Sequence, residues 1–191
     1  MIKIGILGDI GSGKTFIANQ FGYPVFNADK EVSKIYKNNK NCFKKLKKNF
    51  PNNIFSFPIK KKELGKLIIE NKKNIKKINN IVHPLVRDEM YKFLRNYRNK
   101  KAVVLDIPLL LENKLYKKNY VLIFVQAKKK DINKRLKLRL NYNLKIIKEL
   151  KKFQLPIELK KKKSDFIIKN TFKRLLLKKS VKVIKNKIFA K

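Results

Sequence analysis

The chain has one cysteine, no tryptophan, six glycines, six prolines and only 13 acidic residues against 51 basic ones in 191 residues. Each scarcity excludes something. Cys42 has no partner, so a disulfide framework is ruled out and a reducing compartment is expected. The longest apolar runs, Ala102 to Leu111 and Tyr120 to Ala127, are about ten residues or fewer, well short of the roughly 20 that span a bilayer. Asp9 and its neighbouring glycines interrupt the apolar N-terminus, which removes a signal-peptide core. A soluble cytoplasmic protein with no membrane partner is expected, one domain in size, with 43% hydrophobic residues to build a core.

The formal net charge of +38 suggests a polyanionic partner. Yet only residues 87, 95, 98, 135, 139 and 174 are arginine; every other basic residue is lysine. Arginine is the side chain that bidentate base and phosphate recognition favours. Abundant Lys, Asn and Ile with no Trp fits a coding sequence biased toward A and T as well as it fits selection for binding. The expectation is a solvated lysine surface and no specific nucleic-acid partner. The residues that this bias has not diluted are informative by their placement.

Four of the six glycines fall between residues 5 and 13. Residues 2 to 7 read as a buried strand and Thr15 to Phe21 as a helix. Between them, Gly8, Gly13, Lys14 and Thr15 satisfy the phosphate-binding pattern G-x-x-x-x-G-K-S/T, with Gly11 and Ser12 inside it. At this chain's composition the expected number of accidental matches is on the order of 0.002. Glycines let successive backbone N–H groups approach phosphate oxygens without a Cβ in the way. The helix N-terminus adds partial positive charge, Lys14 can reach the β- and γ-phosphates, and the Thr15 hydroxyl can coordinate Mg²⁺.

No Asn-Lys-x-Asp tetrapeptide is present, which argues against a common GTPase. A second buried strand, Ala102 to Asp106, ends in a carboxylate and runs into Pro108-Leu-Leu-Leu-Glu112. Ligands of open α/β sheets sit at the carboxyl ends of strands, so Asp106 can hold Mg²⁺ and Glu112 can line the same cleft; a plain loop acid or helix cap stays open for both. Tyr120 to Val125, Asp165 to Ile168 and Pro24 to Asn27 complete a set of about five parallel strands. A helix over Asp131 to Leu140 would put Arg135 and Arg139 on one face, suited either to stabilising a transferring phosphoryl group from a lid or to solvent.

In order along the chain, these residues resemble the dephospho-CoA kinase family. The resemblance rests on Gly8 to Thr15, Asn27-Ala28-Asp29, Leu64-Gly65, His83-Pro84-Leu85-Val86-Arg87, Pro108 to Glu112, Arg135 and Arg139, and Gln154 with Asp165 to Asn170. It implies a three-layer P-loop kinase fold, with a helical acceptor-binding insertion at roughly 30–97 and a lid at 130–155. It implies Mg²⁺ with ATP as co-substrate, dephospho-CoA as acceptor, and a monomer. The P-loop residues through Phe16, with Arg139 and Asn170, would bind ATP, and Asn170 would approach the adenine. Asp29, His83, Pro84, Arg87, Pro108, Leu109 and Glu112 would bind the acceptor. Asp29, Lys14 and Arg139 would act in catalysis, Asp29 by accepting the proton of the ribose 3′-hydroxyl. From the residues alone Asp29 is equally the N-cap of the next helix, and His83 beside Pro84 equally a helix start. Another small-molecule kinase and a nucleic-acid-stimulated ATPase are the alternatives.

Departures from the family pattern are expected to matter. Asp9 puts a negative charge in the P-loop where a small residue is usual, Phe16 replaces a small hydroxyl residue, lysines at 60–62 stand where arginine is frequent, and Ile132 replaces a glutamine.

Overall fold

The computed structural model describes residues 1–190 apart from 118 and 139–141, together with all side chains in that span except that of Lys61. Five strands form one sheet: β1 (Ile2–Gly8), β2 (Val25–Asn27), β3 (Ala102–Asp106), β4 (Tyr120–Ala127) and β5 (Phe166–Asn170). Their order is β2-β3-β1-β4-β5 and every pairing is parallel. All five residues of β3 are buried, as are the last five of β1. That is the pattern of strands covered on both faces, and it explains why they read as continuous apolar runs. The order puts β1 at the centre, with the carboxyl ends of β1 and β3 side by side. A crevice at such a point is where open α/β sheets bind ligands.

The chain forms two compact units, one of residues 1–27, 97–143 and 150–191, the other of residues 28–96 and 144–149. In the first, the sheet carries α1 (Lys14–Gln20) and α9 (Arg174–Phe189). Leu177, Val181, Ile184 and Ile188 recur at helical spacing along α9 and join Ile17, Ala18 and Phe21 of α1 over Ile4, Ile6, Val104 and Ile123. The same unit holds α6 (Lys129–Lys137) and α8 (Ile157–Lys162).

The second unit is helical: α2 (Ala28–Asn38), α3 (Lys40–Asn49), α4 (Lys61–Glu70), α5 (Asn74–Asn96) and the first part of α7 (Leu144–Lys152). Its core gathers Ile35, Leu46, Ile54, Leu67, Ile78 and Val82. Cys42 is buried in it, and burial pushes its thiol up to about 11 against the smaller opposing pull of Lys45, so it packs as an apolar residue. Asn39 caps α3, its side chain accepting from the Cys42 N–H at 2.8 Å.

Most boundaries shift by a residue or two from the sequence expectation, and three differences have a visible cause. Asp165 precedes β5 instead of opening it, because its carboxylate accepts the Leu122 N–H at 2.7 Å while its own N–H donates to the Leu122 carbonyl at 2.8 Å. The helix expected over Asp131 to Leu140 is Lys129–Lys137, with Leu138 as its C-cap. Pro84 lies inside the 23-residue α5, so His83 is no helix start. The prolyl ring removes one N–H from the ladder at that turn, the one that would pair with Asn80.

Candidate active site

β1 ends at Gly8, and the loop that follows must bring its backbone round to α1 within five residues. Gly13, the N-cap of α1, does this with φ 91 and ψ 22, a left-handed conformation that glycine adopts freely. A Cβ there would also run into the Asn170 amide. The N-cap glycine makes no side-chain cap bond and no acid lies in the first turn of α1, so the phosphate-facing start of the helix carries no competing acid of its own. On the other side of the loop, a Cβ on Gly11 would meet Leu136 at 3.0 Å and Ile132 at 3.2 Å. Ile132 and Leu136, one turn apart on α6, are buried and anchor α6 against the loop.

Lys14 is buried, and its ammonium donates to the Gly8 carbonyl at 3.2 Å and the Asp9 carbonyl at 2.8 Å. Next to it, Thr15 donates its hydroxyl proton to Asp106 Oδ2 at 2.5 Å. The parallel register sets Asn27 opposite Asp106 at the ends of β2 and β3, and Asn27 Nδ2 donates to the same carboxylate oxygen at 2.6 Å and to Thr15 Oγ1 at 3.4 Å. Asp106 is 3% exposed. Thr15 of α1 and Asn27 of β2 thus converge on the buried Asp106 carboxylate at the end of β3. Asn27 is a member that residue-level reading passed over; its signal is the register, which a sequence does not print.

The Asn170 side chain is committed to the loop itself. Its amide donates to the Ser12 carbonyl at 2.7 Å and its carbonyl accepts the Phe172 N–H at 2.7 Å. Ser12 is fully buried and its hydroxyl has no partner among the described residues. Phe16 packs against the sheet core. Arg135 places its guanidinium 4.6 Å from the centre of the Phe172 ring, a cation–π contact. Arg139 lies outside the described residues.

Glu112 does not join the Asp106 network. Its Oε1 takes Lys160 Nζ at 2.7 Å and the Leu155 N–H at 2.9 Å, and Gln154 Oε1 accepts from the same ammonium at 3.3 Å. Lys160 is 2% exposed. Pro108 and Leu109 begin the turn leading to this pair, whose next two residues, Leu110 and Leu111, are buried. Lys160 is the second residue missed, and one lysine in a run of four carries no signal.

In the helical unit, Asp29 is in the first turn of α2 and exposed, and its carboxylate has no hydrogen bond among the described residues. It borders an open cavity of about 480 Å³ lined also by Lys30, Ser33 and Lys34. Its backbone carbonyl accepts from the Ser33 hydroxyl at 2.9 Å, the carboxylate staying clear. His83 and Arg87 are one turn apart on α5. Burial first, and the Arg87 charge second, hold the imidazole below its ordinary 6.5.

Thr15 and Asp106 offer a hydroxyl and a carboxylate within hydrogen-bond distance of each other. That sparse set of hard oxygens fits Mg²⁺, which keeps most of its ligands as water and substrate phosphate. No group of three or more His, Cys, Asp or Glu that could hold a metal exists among the described residues. None of their helices is long and apolar enough to cross a membrane.

A central strand running into a glycine loop and helix, with a buried carboxylate bonded to the loop threonine, defines the class: a P-loop nucleotide-binding protein. Comparison with known proteins narrows it. The family model for dephospho-CoA kinase matches residues 2–174. A Wolbachia dephospho-CoA kinase from the Brugia malayi symbiont is 36% identical over 170 residues, 86% of this chain and 87% of that protein. Among solved structures, a Campylobacter jejuni dephospho-CoA kinase superposes with TM-score 0.63 at 29% identity, covering 96% of each chain. A Thermus thermophilus crystal structure gives 0.77 at 26%, covering 98% of this chain and 97% of its own. The chain belongs to the dephospho-CoA kinase family.

Proposed function

We propose that the protein transfers the γ-phosphoryl group of ATP to the 3′-hydroxyl of dephospho-CoA, releasing ADP and CoA. The single observation that carries this reading is the Thr15–Asp106–Asn27 network beside a complete P-loop in a chain of this family. The loop N–H groups and Lys14 hold the β- and γ-phosphates. Thr15 and Asp106 would hold Mg²⁺, which when bound neutralises phosphate charge. Asp29 takes the proton of the 3′-hydroxyl as its oxygen bonds to the γ-phosphorus and the bond to the ADP oxygen breaks. Its exposed carboxylate, with no hydrogen bond among the described residues, supports this role.

Helices between residues 30 and 97, with His83, Pro84 and Arg87, bind the acceptor, and residues 130–155 close as a lid bringing Arg139 to the phosphates. Pro108, Leu109 and Glu112 support the acceptor side through the turn that Lys160 fixes. Asn170 serves ATP by bracing Ser12. The protein works in the cytoplasm as a monomer.

An acceptor panel tests the substrate. With Mg-ATP, dephospho-CoA should yield CoA and ADP in equal amounts, while nucleoside monophosphates and shikimate should yield neither product above background. Phosphorylation of a monophosphate in preference would make this a different small-molecule kinase. ADP formed only on adding RNA or DNA would make it a nucleic-acid-stimulated ATPase.

A further inference from the structure

The P-loop carries its own anion. Asp9 follows the first glycine of the motif, and its Oδ1 accepts the Ile10 N–H at 2.6 Å, so a carboxylate already sits on one of the amides of the phosphate cradle. Its backbone carbonyl holds the Ser12 N–H at 3.1 Å and the Lys14 ammonium at 2.8 Å. The side chain is 14% exposed. A fixed negative charge here opposes a triphosphate directly, because partial burial weakens solvent screening.

A cation among the described residues answers it. Lys151, in the last turn of α7, places Nζ 3.0 Å from Asp9 Oδ2 across 142 positions of sequence. Lys151 is 38% exposed. A pair this accessible contributes little to folding, so its worth lies in what it does to the loop. We propose that Lys151 is a nucleotide-positioning residue that acts through Asp9: it cancels the loop's acidic side chain, draws the carboxylate toward α7, and keeps the cradle attractive to phosphate. The role is specific to a chain with an acid at position 9.

The proposal rests on the P-loop binding ATP, and a double-mutant cycle separates the two. Mg-ATP binding is titrated with a fluorescent ribose-labelled ATP, and KM and kcat are measured, for the native protein, K151M, D9N, D9N/K151M and K179M, the last removing an exposed α9 lysine as a control for overall charge. K151M should weaken ATP binding about tenfold, equivalent to about 1.4 kcal/mol, through KM with kcat altered less than twofold, and K151R should recover most of the loss. In the D9N background, removing Lys151 should change affinity less than twofold, as should K179M in the native protein. If D9N folds poorly by thermal melt, D9S takes its place. An equal loss from K151M in both backgrounds, or none in either, overturns the proposal while leaving nucleotide binding intact. A native protein that does not bind Mg-ATP overturns the nucleotide reading and this proposal with it.

Discussion

The two units of the chain treat their polar groups in opposite ways. In the sheet unit, Thr15, Asn27, Asp106, Lys14 and Asn170 are buried or hydrogen-bonded within the unit, and Glu112 and Lys160 are paired in the interior. In the helical unit, Asp29 is exposed with no hydrogen bond to its carboxylate among the described residues, and the ion pair Lys72–Glu149 spans 3.3 Å with the lysine 68% exposed. A bonded network costs no ordering when the nucleotide arrives, which is what preorganised electrostatic catalysis requires. On the proposed function, the acceptor hydroxyl supplies the partner of the open carboxylate. Damage to the first kind of group should therefore register in folding as well as chemistry, and damage to Asp29 in chemistry alone.

The widest separation expected between the units is in stability. Lys160→Met leaves Glu112 buried with an uncompensated charge and should cost about 3–5 kcal/mol, read as a fall in Tm and in the denaturant midpoint. Lys72→Met, which cuts an ion pair of the helical unit on its exposed side, should cost less than about 1 kcal/mol. Equal losses would erase the contrast.

A smaller effect concerns His83. Its folded value lies below 6.5, so between that value and 6.5 the unfolded chain takes up a proton that the folded chain does not. Stability should be full above pH 6.5 and decline as the pH falls through this window. His83→Gln should flatten that stretch of the profile in denaturant melts at a series of pH values; an identical slope would show that His83 is not buried as described.

Much of the sheet unit was legible because its information sits in scarce residues. Gly8, Gly13 and Thr15 stand out in a chain with six glycines, and Asp106 stands out at the end of an apolar run. What stayed hidden was written in common letters. Lys151 and Lys160 are two of many lysines, and Asn27 owes its place to a strand register. The length of α5 was masked by Pro84, whose helix survives because Ile75, Ile78, Val82 and Met90 bury one stripe on both sides of it. Asp29 was named through family resemblance, since an acid opening a helix has an ordinary explanation as a cap or dipole partner. Asp165 and Asn170 were found by pattern, but their work as a backbone clamp and a brace for Ser12 depends on contacts across 43 and 158 positions.

The division of labour is tested most directly by Asp29→Asn, assayed at saturating Mg-ATP and dephospho-CoA with ATP affinity measured on the same sample. Turnover should fall about a thousandfold, with the affinity for Mg-ATP and the Tm within experimental error of the native protein. An unchanged turnover, or a loss of ATP binding matching the loss of rate, would contradict the assignment of Asp29 to the acceptor and of the P-loop network to the nucleotide.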